Sequence, residues 1–140
     1  MEQALDTALR DAGLRATAGR LAVLESLESM AHSDAETVFE SVSVGLPTTS
    51  IQSVHNILAD LTVAGLIRKI EPAGSPALYE RRVQDNHHHI ACTSCGAVAD
   101  VDCVVGHSPC LTPSTTAGYT VQTAEVTFWG LCPNCQKAST

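Results

Sequence analysis

Residues 1–65 carry apolar side chains at helical spacing. These positions recur three and four residues apart in four successive stretches, which predicts four amphipathic helices. Polar caps and glycines set the expected boundaries: the first helix ends at Gly13, the second starts near Thr17, the third starts at Ser33 with Glu36 completing a capping box, and the fourth starts near Thr49 and ends at Gly65.

A hairpin is predicted to follow the fourth helix. Two β-like stretches, residues 66–71 and 77–83, flank the turn sequence Pro72–Pro76. Helices followed by a hairpin are the plan of a winged-helix DNA-binding domain, with a small helical bundle carrying an added hairpin as the alternative. The solvent side of the fourth helix offers small and polar groups suited to bases and phosphates: Ser50, Gln52, Ser53, His55 and Asn56.

The pattern changes after Val83, which indicates a domain boundary. A histidine run, His87–His89, leads into short β-like runs separated by cysteine pairs. We therefore expect an α+β protein, with a winged-helix domain in residues 1–83 and a small α/β dimerisation domain in residues 84–140. A domain of about 60 residues has a thin core and often needs metal, disulfide or subunit contacts.

Two CxxC pairs predict a structural zinc site in the second domain. The pairs are Cys92 with Cys95 and Cys132 with Cys135, and together they form a Cys₄ set for tetrahedral Zn²⁺. A redox switch, in which the thiols release zinc and pair on oxidation, is the competing interpretation. For Cys103 and Cys110, a buried or surface free thiol is favoured over a further metal or redox role.

Composition limits the class of protein and its partners. The sequence contains neither an apolar stretch of membrane-spanning length nor a signal-peptide pattern. These two observations favour a cytoplasmic protein without membrane partners. In the cytoplasm, cysteines more often bind metal than form disulfides. The net charge of −7 disfavours DNA binding through a broad basic surface. Residues 1–79 contain five Lys and Arg against ten Asp and Glu, so binding would rest on a few cations and helix N-termini.

The histidine run indicates a second kind of metal site. On a strand, His87 and His89 would point to one side and His88 to the other. Asp100 and Glu80 lie nearby in sequence and could add oxygen ligands. Imidazoles with carboxylates suit Fe(II), Mn(II) or Zn(II). The alternative interpretation of the histidine run is a surface loop that binds no metal.

Three segments carry a family resemblance: the run from His87 to Gly96, the later Cys132–Cys135 pair and the Ser53–Asn56 segment. Through them, the sequence resembles the ferric uptake regulator (Fur) family, and the resemblance covers nearly the whole chain. The resemblance extends to its peroxide-sensing branch, in particular actinobacterial catalase repressors. It implies a homodimer that binds operator DNA when a regulatory Fe²⁺ or Mn²⁺ is present. The implied regulatory ligands are His32, Glu80, His87, His89 and Asp100.

The same resemblance implies a sensing chemistry. Peroxide sensors of the family carry aspartate at the Asp100 position, where iron-uptake regulators tend to carry glutamate, and hydrogen peroxide oxidises ligand histidines that correspond to His32 and His87. Glu80 is offset by one residue from the hinge ligand of some peroxide sensors. For DNA, the implied contacts are Arg15, Arg20, Ser50, Ser53, His55 and Asn56, and His55 stands where the family commonly has tyrosine.

The sequence therefore predicts a non-enzymatic, peroxide-responsive repressor of catalase or related oxidative-defence genes, with hydrogen peroxide as signal and no small-molecule substrate. An iron-uptake regulator using the same ligands is the main alternative. A zinc-ribbon thiol switch that acts by protein contact, with Cys103 or Cys110 carrying the response, is an alternative of another class. A metalloenzyme is not favoured, because no evident general base accompanies the cluster.

Overall fold

The computed structural model describes residues 2–81, 87–102, 111, 113–122 and 124–138. The chain divides into two compact units, Met1–Val83 and Gln84–Thr140. The first contains α1 (Glu2–Asp11), α2 (Ala18–Ser29), α3 (Ala35–Gly45), α4 (Ile51–Val63), β1 (Arg68–Ile70) and β2 (Leu78–Glu80), and the second contains β3 (His87–Cys92), β4 (Val98–Asp102), β5 (Thr127–Gly130) and α5 (Pro133–Ala138). These elements confirm the α+β class.

The first unit has its core among the four helices. α4 buries Val54, Leu58 and Leu61, at i, i+4 and i+7, against apolar side chains from the other helices. The first turn of α2 packs closely on α4, because a Cβ atom built on Gly19 would lie 3.0 Å from Cδ1 of Ile57. This packing fixes where α4 presents its exposed face.

The helix caps confirm one predicted boundary and correct two. Thr17 caps α2 as expected, since its side chain accepts a hydrogen bond from the Arg20 amide. The prediction of Ser33 as the α3 cap is wrong: Asp34 accepts from the Thr37 amide at 2.8 Å, while the Ser33 hydroxyl donates to the Met30 carbonyl. The predicted cap at Thr49 is also one residue early, because Ser50 caps α4.

The predicted hairpin is present but its strands are shorter than expected. β1 and β2 pair antiparallel over three residues each, with Arg68 opposite Glu80. Gly74 takes a positive φ of 76° in the turn segment, where glycine is favoured. Ser33 adds an isolated antiparallel bridge to Tyr79, with the two residues exchanging backbone hydrogen bonds.

The second unit is built on a three-stranded sheet of order β4-β3-β5. β3 pairs antiparallel with β4 and parallel with β5, so it lies in the centre of the described sheet. Parallel pairing places the ends of β3 and β5 at the same side of the sheet. Among the described residues, no helix has the length and hydropathy needed to cross a membrane.

Candidate metal centres and nucleic-acid interface

The four predicted zinc ligands meet at one end of the sheet. Cys92 is the last residue of β3 and Cys95 lies in the turn that follows, which closes at Gly96 with a positive φ of 80°. Cys132 and Cys135 lie just before and within α5. The parallel β3–β5 pairing brings these two segments together although 37 residues separate Cys95 from Cys132.

The geometry of the four thiols fits a zinc ion. All four Sγ atoms lie within 4.8 Å of one another, and those of Cys95 and Cys132 are 3.7 Å apart. Four thiolates in a tetrahedron around zinc, each at about 2.3 Å, lie about 3.8 Å from one another. A disulfide would bring the sulfur atoms to about 2 Å. The cluster is therefore arranged as a metal site and not as a pair of disulfides.

The backbone prepares Cys92 for this role. Its Sγ accepts hydrogen bonds at 3.4 Å from the amides of Cys132, Cys95 and Ser94. These bonds, led by the one from Cys132, lower the pKa of Cys92 to about 6, so it is a thiolate at neutral pH. For Cys135, a Ser94 hydrogen bond acts to lower the pKa, but those with Cys132, Cys92 and Cys95 outweigh it and raise the pKa to about 12. The cluster thus concentrates negative charge on its buried member.

In the second unit, two histidines and one carboxylate converge. His89 lies directly opposite Asp100 in the β3–β4 ladder, and His87 lies two residues before it on the same face of β3. Nε2 of His87 and Nε2 of His89 are each 3.5 Å from Oδ1 of Asp100, and the two rings are 4.9 Å apart. One carboxylate oxygen shared by two imidazoles is a ligand set for a divalent transition metal.

The first unit brings together His32 and Glu80. Nε2 of His32 lies 2.9 Å from Oε2 of Glu80, and these side chains are 10% and 1% exposed. The Ser33–Tyr79 bridge positions the pair, because it joins the residue after His32 to the residue before Glu80. His32 itself has a positive φ of 60°, a conformation that a non-glycine residue adopts at some free-energy cost.

The face of α4 carries the predicted DNA-reading residues. Ser50, His55 and Asn56 are exposed, and Ser53 is half-buried. The Ser50 side chain is engaged as the N-cap, accepting from the Ser53 amide at 3.0 Å. Asn56 accepts a hydrogen bond at 3.1 Å from Gln52, one turn earlier, so the polar stripe is partly ordered. α4 thus presents an exposed polar face that could enter a DNA groove.

The two predicted phosphate-binding arginines differ in their surroundings. Arg15 is exposed. The Arg20 side chain is 20% exposed; one terminal nitrogen donates to the Arg15 carbonyl at 2.9 Å and the other lies 3.6 Å from the Asp60 carboxylate. Sequence reasoning missed Asp60, although its position four residues after Asn56 on the exposed side of α4 could have drawn attention to it.

Two further thiols named from the sequence, Cys103 and Cys110, lie outside the described residues.

Comparison with known proteins decides the family. A sequence model of the ferric uptake regulator family matches residues 11–128. The chain belongs to this family. Its members are non-enzymatic, metal-dependent transcriptional regulators that bind DNA as dimers, with structural zinc and a regulatory metal. The Cys₄ cluster and the histidine–carboxylate groups supply ligands of both kinds.

The relatives of this Fur-family chain include both a FurA regulator and a peroxide operon regulator. It is 54% identical over 132 residues to the transcriptional regulator FurA of Mycobacterium tuberculosis, covering 94% of this chain and 90% of that protein. It is 28% identical over 143 residues to the peroxide operon regulator of Bacillus subtilis, covering 98% and 94%. The solved structure of the Helicobacter pylori ferric uptake regulator Fur matches with a TM-score of 0.72 at 21% identity, covering 99% of this chain and 93% of that one.

Proposed function

We propose that this Fur-family protein is a peroxide-responsive repressor that binds operator DNA as a homodimer in the cytoplasm. In this proposal a regulatory metal is held by His32, Glu80, His87, His89 and Asp100, and peroxide oxidises His32 or His87. Repression of catalase or related oxidative-defence genes is the expected outcome. The observation that carries the proposal is the Asp100 oxygen that both strand histidines share.

Each unit offers part of this ligand set. His32 and Glu80 are paired in the first unit, and His87, His89 and Asp100 converge in the second. A metal that takes ligands from both sets would restrict the relative orientation of the units. In a dimer, that orientation sets the spacing of the two α4 helices along DNA, so metal occupancy would control operator affinity.

The sensing step draws on the histidine rings. When bound, iron(II) supplies the redox chemistry that activates hydrogen peroxide beside its ligands. One peroxide oxygen atom is transferred to a histidine ring and the other leaves as water. The oxidised ring is a poorer ligand, so metal affinity falls and the DNA-binding arrangement is lost. Asp100 supports this assignment, since aspartate here resembles the peroxide-sensing branch.

Iron-uptake regulation through the same ligands is a second candidate. It is favoured by the name of a relative from Mycolicibacterium fortuitum, ferric uptake regulation protein 1, which is 52% identical over 121 residues, covering 86% of this chain and 75% of that protein. The two candidates differ in one outcome. Only the peroxide sensor gains oxygen on a ligand histidine.

The deciding experiment measures peptide masses after peroxide treatment. Zinc-containing protein is loaded with Fe(II) or Mn(II), treated with hydrogen peroxide and digested, and the peptides containing His32 and His87 are analysed by tandem mass spectrometry. We expect a gain of about 16 Da, one oxygen atom, on either histidine with Fe(II) and none with Mn(II). Unmodified histidines with oxidised cysteines would support the thiol switch, and no modification would support iron-uptake regulation.

Asp100→Glu is the matched variant for this test. It keeps the negative charge but lengthens the side chain by one methylene, so the oxygen that lies 3.5 Å from both imidazoles must move. We expect metal-dependent DNA binding to persist while histidine oxidation decreases. Equal oxidation in both proteins would remove Asp100 as the basis of the proposal.

DNA binding and dimerisation are tested separately. Random duplex DNA is selected for binding to the protein once with Mn(II) and once with a chelator, and we expect one sequence to be enriched only in the presence of metal.

The dimer is expected to form through β5. This strand lies at one edge of the described sheet, and its Phe128 and Trp129 are each 49% exposed, which makes a surface suited to a second copy. Trp129→Glu is expected to shift the protein from dimer to monomer in sedimentation velocity, whereas an unchanged dimer would exclude this edge.

A further inference from the structure

We propose that Asp60 is an affinity-determining residue of the DNA interface, because its carboxylate competes with DNA phosphate for the guanidinium of Arg20. The inference rests on the proposed function, namely DNA binding through α4. It gives Asp60 a role that opposes binding, although the residue belongs to the same helix as the base-reading side chains.

Asp60 lies on the stripe of α4 that faces solvent. Gln52, Asn56 and Asp60 are spaced four residues apart and therefore share one side of the helix. Asp60 is 56% exposed and stands one turn, about 6 Å of helix rise, beyond Asn56. If the first turns of α4 read bases, this position passes close to the phosphates at the edge of the groove, where a carboxylate is repelled.

Arg20 is held beside this position by contacts other than Asp60. Its first terminal nitrogen donates to the Arg15 carbonyl at 2.9 Å, and its neighbour Gly19 packs against Ile57 of α4. The second terminal nitrogen is 3.6 Å from Asp60, longer than a good hydrogen bond. The ion pair is thus a loose electrostatic contact that phosphate can replace without moving the arginine backbone.

The scarcity of cations makes this contact important. Residues 1–79 contain five Lys and Arg, and other cations of the first unit are also paired with carboxylates, among them Arg10 with Asp6, Lys69 with Glu71, and Arg81 with Glu28. Among these described pairs, Arg20–Asp60 is the one with a carboxylate on α4. Releasing Arg20 therefore adds one phosphate-binding cation at the interface.

The test is a double-mutant cycle on DNA affinity. Asp60→Asn, Arg20→Gln and the double variant are titrated into the fluorescent duplex selected by the wild-type protein, with Mn(II), between about 50 and 200 mM salt. The control is Glu40→Gln, an exposed position of α3 that changes the net charge by the same amount. Thermal unfolding of each variant checks that the fold is kept.

We expect Asp60→Asn to tighten binding about threefold to tenfold at low salt and to steepen the slope of log K against log salt by about 0.9, as for one added phosphate contact. Glu40→Gln should have little effect. The gain from Asp60→Asn should disappear in the Arg20→Gln background. If Arg20→Gln does not fold, Arg20→Met, which keeps an aliphatic side chain without the charge, replaces it, and there too the gain should disappear.

Two results would overturn the inference. Asp60→Asn could tighten binding no more than Glu40→Gln, or its gain could survive in the Arg20→Gln background, which would reduce the effect to general charge. Failure of the wild-type protein to select or bind any duplex would instead overturn the proposed function, and this inference with it.

Discussion

Asp34 offers a sharp test of how the first unit is stabilised. Its side chain accepts a hydrogen bond from the Thr37 amide at 2.8 Å and caps α3. Loss of an N-cap typically lowers the free energy of unfolding by about 1 kcal/mol, and each kcal/mol shifts Tm by about 4–8 °C in a domain of this size. We therefore expect Asp34→Ala to melt about 4–8 °C below wild type by far-ultraviolet circular dichroism.

The pH dependence separates the cap from general effects. Two hydrogen bonds from Thr37 lower the pKa of Asp34: the larger effect comes from the Thr37 side chain and the smaller from its backbone amide. A lowered folded-state pKa means that this stabilisation is complete above the unfolded value of about 3.9 and is lost as pH falls through the folded value. Asp34→Asn, an equally good cap, should retain most of the stability at pH 7 and lack this acid-dependent loss.

The control is Glu40→Ala, which removes an exposed carboxylate from the same helix away from its N-terminus. It should change Tm by much less than Asp34→Ala. The reasoning would be refuted if Asp34→Ala had the same Tm as the wild-type protein, or if Asp34→Asn lost as much stability as Asp34→Ala.

Three further predictions concern the core and the metal groups. Leu58→Ala, at a fully buried position of α4, should lower the free energy of unfolding by about 2–5 kcal/mol in urea titrations, and a loss under 1 kcal/mol would contradict the packing described. Cys132→Ser should abolish stoichiometric zinc, measured by elemental analysis, because it removes one of the four Sγ ligands while the Cys132 amide that donates to Cys92 is kept; full zinc content would exclude Cys132 as a ligand. Zinc affinity of the metal-free protein should fall as pH decreases from 8 to 6, since the raised pKa of Cys135 makes proton and metal compete; competition titrations that show a flat profile would argue against this.

Local patterns allowed much of this molecule to be predicted. Apolar spacing gave the helices, the period of two placed His87 and His89 on one face of β3, and the cysteine spacing indicated one metal cluster. The helices, the strand face and each CxxC pair depend on residues close in sequence, whereas the joining of the two pairs depends on the β3–β5 pairing. The physical cause of the local features is the geometry of a single helix, strand or turn.

Long-range contacts account for what the pattern missed. Ser33 and Asp34 are both residue types that cap helices well, and Asp34 is the N-cap of α3. Ser33 instead forms a β-bridge with Tyr79, a residue far along the chain. The Arg20–Asp60 ion pair likewise joins residues from different helices. Neither contact leaves a periodic signal, so both required the three-dimensional structure.

The separation of the two cysteine pairs has a consequence for biosynthesis. A ribosome that adds about 5–20 residues per second needs about 2–7 s to make the 37 residues from Cys95 to Cys132. During that interval the nascent chain carries the first two thiols without the second pair and without β5 beside β3. The newly made chain is thus most exposed to irreversible thiol oxidation while it is being translated, and this is the stage at which rising peroxide would reduce the yield of zinc-containing protein.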